Sequence, residues 1–159
     1  MSGGLRNMFS GMSDYFQLFS ISDPAVNQGI VQASCQDFDK YSFNFCGKII
    51  TVNRLYYNQF NALSEAIKSM GYDDNIVRVD SFNCRKMRGF GAWSYHSFGQ
   101  AIDLNPSEFR MVSLGDKYQI PMWYNLITIT AKNLGFRWGG DFSSRFNPMH
   151  FEIGSKIRR

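Results

Sequence analysis

The chain has 159 residues, which is room for one ordinary domain and too little for two. Hydrophobic residues make up 44% and charged residues 19%, so a packed core can form and global disorder is excluded. The net charge of +4 comes without a Lys/Arg run, a helix-turn-helix pattern or an aromatic ribonucleoprotein motif, and no nucleic-acid partner is expected. No apolar run reaches the ~18 residues of a membrane span.

The first 22 residues, "MSGGLRNMFSGMSDYFQLFSIS", lack a compact apolar core and a small-residue cleavage site, so no secretory signal is expected. Rich in Gly, Ser and Met, with Phe9, Tyr15, Phe16 and Phe19 scattered among them, they read as an irregular arm or a docking segment for a larger assembly. The domain proper is taken as 23–159. Cys35, Cys46 and Cys84 form no CxxC pair. A Cys35–Cys46 bridge across a hairpin is one option, and three buried free thiols are the favoured one. Aromatics reach 16%, and some of those rings are expected to line a cleft.

"YSFNFCGKIITVN" (41–53) alternates and then runs β-branched around Gly47, which predicts a hairpin. Leu55, Phe60, Leu63, Ala66, Ile67 and Met70 recur at helical spacing, with Gly71 as the stop. "NIVRVDSF" (75–82) and "AIDLNP" (101–106) read as short strands. "MWYNLITITAKNLGF" predicts a second helix after Pro121, stopped by Gly135, and "MHFEI" (149–153) a closing strand. Helices and strands mix without a βαβ repeat. The fold class is α+β: a single compact domain with a small antiparallel sheet and flanking helices.

The only two histidines sit in suggestive places. In "SYHSFGQAIDL", His96 precedes Asp103 by seven residues, and on a strand Asp103 shares a face with Ala101 while Ile102 and Leu104 face the core. Gly99 permits the return that sets His96 beside Asp103. In "MHFEI", His150 and Glu152 share a face opposite Met149, Phe151 and Ile153. Both histidines are read on strand-like segments. Two His and one Asp with a fourth position open make a catalytic zinc set, although by composition alone unrelated structural histidines are the commoner outcome.

Together, "SYHSFGQAIDLNP" and "WGGDFSSRFNPMHFE" resemble the paired signature S-x-H-x-x-G-x-A-x-D and D-x-x-H-F-E. That pair marks the zinc D-alanyl-D-alanine carboxypeptidase and L-alanyl-D-glutamate endopeptidase family, whose fold is shared with the hedgehog signalling domain. The resemblance spans roughly residues 40 to 154. It implies Zn2+ held by His96, Asp103 and His150, with Ser94 shaping the loop near the substrate. It implies Arg85, or alternatively Arg88, steadying a substrate carbonyl or carboxylate. Trp138 and Asp141 of "WGGD" match a block near the cleft, where Asp141 either orients a ligand from behind or caps a turn. Glu152 is expected to support the site. The implied partners are the peptide stems of bacterial peptidoglycan, and other phage virion proteins through the arm. Synthesis in the host cytoplasm and action at the cell wall, in an endolysin or a tail-associated protein, follow from the same resemblance.

One position departs from the signature. The acid/base carboxylate expected three residues before the last histidine is Asn147, and an amide accepts no proton near neutral pH. Three readings stay open: an inactivating change, a weakened member kept for binding or architecture, or substitution by another carboxylate such as Glu152 or Asp141.

Overall fold

The computed structural model describes Cys35 and residues 38–87 and 91–154. The arm at 1–22 and Arg88 lie outside the described residues. Strands β1 (Lys40–Phe45) and β2 (Lys48–Asn53) form the expected hairpin, closed by Cys46 and Gly47, both at positive φ. Phe45, Ile50 and Val52 are buried along its inner side. Asn53 then caps a short 3-10 turn by accepting from the Leu55 N–H, and α1 (Tyr57–Ser69) follows. Phe60, Leu63 and Ile67 of α1 are fully buried, as the helical spacing required. Helix α2 (Met122–Asn133) begins after Pro121, buries Tyr124, Ile127 and Ala131, and packs against α1. Among the described residues no helix is long and apolar enough to cross a membrane.

The second sheet carries the site. Its strands are β3 (Val79–Asp80), β4 (Ala101–Leu104), β5 (Arg137–Trp138) and β6 (His150–Glu152), in the order β3-β4-β6-β5 and all antiparallel. Directly opposed residues share a face. Ile102, Phe151 and Trp138 form one row, and Val79 with Leu104 another, on the core side. Asp80, Asp103 and His150 form a row on the other face, with Ala101, Glu152 and Arg137 beside it. The sheet is therefore apolar below and chemically equipped above.

Several expectations are corrected. The single small sheet is two sheets. The strand read over 75–82 shortens to two residues, because Asn105 Oδ1 takes the N–H groups of Val77 and Arg78 at 2.9 and 3.2 Å in place of a strand partner. The two-residue strand β5 carried too little pattern to be foreseen. His96 lies on a 3-10 turn, Tyr95–Phe98, and not on a strand. Cys35 and Cys84 are disulfide-bonded across 49 residues of chain, with Cα atoms 5.5 Å apart. Cys46 is the free thiol, buried against Ser64, and burial pushes its pKa up.

Gly99 makes the turn from His96 into β4. Its φ is +61°, and a Cβ there would stand 2.4 Å from the Asn53 amide nitrogen and 2.8 Å from Val52 C. Both atoms are backbone and cannot step aside. Gly99→Ala is expected to destabilise the fold by about 2 kcal/mol or more, read from urea unfolding. An unchanged midpoint would show that the hairpin is free to move away from this turn.

Candidate metal centre

His96, Asp103 and His150 are all buried, 3%, 8% and 8% exposed, and their ligand atoms lie within 4.8 Å of one another. The β4–β6 register sets Asp103 opposite His150, and the Gly99 turn folds His96 over both. His150 Nδ1 is 2.8 Å from Asp103 Oδ1, and His96 Nε2 is 3.2 Å from both Asp103 Oδ1 and His150 Nδ1.

The far edges of the two rings decide what these near edges are. His96 Nδ1 lies 2.8 Å from the Ser81 carbonyl oxygen, which can only accept, so Nδ1 carries the proton and Nε2 presents a lone pair. His150 Nε2 lies 2.9 Å from Glu152 Oε2, so in the neutral ring Nε2 donates and Nδ1 presents a lone pair. Two imidazole lone pairs and a carboxylate oxygen thus converge on one point. Mutual repulsion makes that arrangement unfavourable alone. A proton relieves one pair, whereas a divalent cation relieves all three. Two His and one carboxylate, each imidazole backed by an acceptor, is a donor set that fits catalytic zinc with a fourth position open.

Electrostatics agree. Burial opposes ionisation of Asp103, yet in the metal-free site a proton on the near edge of His150 or His96 outweighs it and holds the carboxyl well below the usual carboxylate range. Burial also pushes the His150 imidazole below its ordinary value, with His96 and Arg85 pushing the same way against Asp103. Both shifts favour the ligand forms, an anionic carboxylate and a neutral ring.

The surroundings are built to hold this geometry. Ser94 Oγ accepts from the His96 N–H at 3.3 Å, and the Ser94 N–H donates to the Arg85 carbonyl. Ser97 Oγ accepts from the Arg85 N–H at 2.9 Å and also donates to that residue's carbonyl. The Arg85 backbone is thereby fastened to the turn that carries His96. Arg85 lines a cleft of about 360 Å³ with His96, Asp103, Arg78 and Asp80. Among the described residues Phe82 lines the cleft, as expected of some of the rings, while most of the others pack into the core.

On the opposite side, Trp138 Nε1 and the Tyr124 hydroxyl both donate to the Pro148 carbonyl, at 2.7 and 3.0 Å, and fix the turn before His150. Gly139 allows that turn to approach: a Cβ there would meet the Asn147 carbonyl oxygen at 2.3 Å and His150 Cβ at 3.0 Å. Asn147 Oδ1 is buried and has no hydrogen-bond partner among the described residues.

Neither substitute carboxylate is free. Asp141 is exposed and pairs with Lys132 at 2.7 Å, which corrects its placement behind a ligand. Glu152 is buried, holds His150 Nε2 and is ion-paired with Arg137, its neighbour on β5. Glu152 therefore stands where it can orient the His150 ring. Sequence reasoning missed Arg137, Ser97 and Tyr124, which carry no motif, and the Ser81 carbonyl, which a backbone acceptor never advertises.

Residues 88–153 match the sequence model of the D-alanyl-D-alanine carboxypeptidase family. This supports a peptidase-type function and covers the three converging ligands, while Arg85 and the hairpin lie before it. Neither the curated proteins nor the solved structures yielded a match.

His150→Ala is expected to abolish stoichiometric zinc, measured by elemental analysis after dialysis. Glu152→Gln should weaken zinc about 10- to 100-fold in a chelator competition, because it loosens the ring's orientation without removing a ligand. Equal affinities would assign Glu152 to the ion pair with Arg137 alone.

Proposed function

We infer that the chain is a zinc metallopeptidase framework directed at the peptide stems of bacterial peptidoglycan. The observation that carries this reading is the convergence of His96 Nε2, His150 Nδ1 and Asp103 Oδ1 beside an arginine-lined cleft. When bound, zinc would supply Lewis-acid polarisation of a carbonyl and lower the pKa of a water to about 7. Asp103, His96 and His150 would hold the ion, and the Ser81 carbonyl and Glu152 fix the rings. Arg85, exposed at the cleft on an anchored backbone, offers a cation for the substrate carbonyl or carboxylate, where charge develops as the peptide bond is attacked. The match to carboxypeptidases and the resemblance to wall endopeptidases support peptide-stem chemistry. The resemblance extends the reading to a phage protein acting at the host wall.

The proton is the weak point. Hydrolysis needs a group that accepts a proton from water and returns one to the leaving amine. At that position Asn147 presents a buried amide oxygen, which can accept a hydrogen bond and thereby orient a water, but cannot take its proton. With Glu152 and Asp141 both engaged, turnover in this chain is slow. The same observation favours a second reading, a zinc-stabilised binding or architectural module of a phage tail that keeps the fold without turnover.

Asn147→Asp separates the two. In a peptidase framework lacking only its proton carrier, it should raise hydrolysis of wall peptides by about 10²-fold or more, with zinc content unchanged. The change is nearly isosteric, so packing is preserved. The measurement is release of free amines from purified wall, followed by mass spectrometry of the products. Absence of turnover in both forms would leave the binding module standing.

A further inference from the structure

The cleft wall beside Asp103 carries an ion pair that the zinc chemistry does not use. Arg78 and Asp80 meet through two hydrogen bonds, Nε to Oδ1 at 2.7 Å and Nη2 to Oδ2 at 2.9 Å. Both side chains line the same cleft as His96, Asp103 and Arg85. Asp80 is opposed to Asp103 across β3 and β4, so its side chain rises on the ligand face of the sheet.

The backbone beneath the pair is held firmly. Asn105 accepts from the Arg78 N–H and donates its own N–H to the Arg78 carbonyl at 2.9 Å. The side chains themselves are open, 61% and 42% exposed. An exposed pair of this kind contributes little to stability. Its charges are therefore easily exchanged for those of a ligand. Three charges then stand along one wall in chain order: Arg78 positive, Asp80 negative, Arg85 positive.

We propose that this wall is a charge-reading subsite, resting on the peptide-stem reading above. It selects a residue that bears an ammonium and a carboxylate together, in a peptide that offers a second carboxylate to Arg85. The ligand's carboxylate takes the Arg78 fork in place of Asp80, and its ammonium takes the Asp80 carboxylate so released. Each charge on the wall exchanges one partner for another, and none is left unpaired. A bare lysine-type ammonium satisfies Asp80 but competes with Arg78 for it and gives the guanidinium nothing. The subsite thus selects stems with a diamino-dicarboxylate residue over stems with a simple diamino residue.

Calorimetric titration of the full 159-residue chain, freed of zinc so that no hydrolysis intervenes, tests this with synthetic L-Ala-γ-D-Glu-X-D-Ala. X is meso-diaminopimelate, L-lysine, or diaminopimelate with its side-chain carboxylate amidated. The diaminopimelate stem should bind about 10- to 100-fold more tightly than the other two. Arg78→Gln should bring the three stems within about twofold of one another, and Asp80→Asn should weaken all of them. Equal binding of the three stems by the unaltered chain, binding of none, or a preference that survives Arg78→Gln would overturn the subsite. The amidated stem probes the unaltered protein, so the outcome does not hinge on a variant folding. One zinc per chain without discrimination removes the subsite and keeps the metal centre, and discrimination in a chain that takes no zinc does the reverse.

Discussion

The site rests on the pairing of β4 with β6. Three rungs, Ala101 with Glu152, Ile102 with Phe151 and Asp103 with His150, place an acid against an imidazole on one face while burying a side-chain pair on the other. A slip of one residue would turn Asp103 and His150 into the core and expose Ile102 and Phe151. The apolar side of the pairing therefore holds the polar side in register. Groups that repel one another are kept in contact by burial of their neighbours. A metal centre of this kind has its geometry set before any ion arrives.

The second constraint is on ring orientation. His96 is fixed by a backbone carbonyl and His150 by a carboxylate, two different acceptors with the same effect. The carboxylate needs support of its own, since a buried charge is costly unless paired. Arg137 supplies it from the adjacent strand. Support for a single ligand thus runs outward from His150 through Glu152 to a half-exposed arginine at the sheet's edge.

Most of the fold could be read from the residues because its signals are local. Alternation around Gly47 and helical spacing from Leu55 to Met70 each report on a few neighbouring positions. The convergence of His96, Asp103 and His150 could be read because the chain has just two histidines and each stands beside a strand of clear polarity. What escaped was decided at a distance. The partner of Cys84 is 49 residues away, and nothing near either cysteine announces it. The placement of His96 on a 3-10 turn follows from the close packing of Gly99 on the hairpin backbone, which local pattern does not register. Asp141 was drawn to Lys132 of α2, a contact between segments that periodicity treats separately. Arg78 and Asp80 carry no motif, and it is the sheet order that sets them beside Asp103.

The disulfide has a consequence for access. Cys84 immediately precedes Arg85 and follows Asn83, and both of those residues line the cleft. Through the bridge, residue 35 is stapled to that rim. The bridge thus anchors the stretch that carries Asn83 and Arg85 from outside the sheet, so the rim of the cleft is held by a covalent bond that touches none of the three converging side chains.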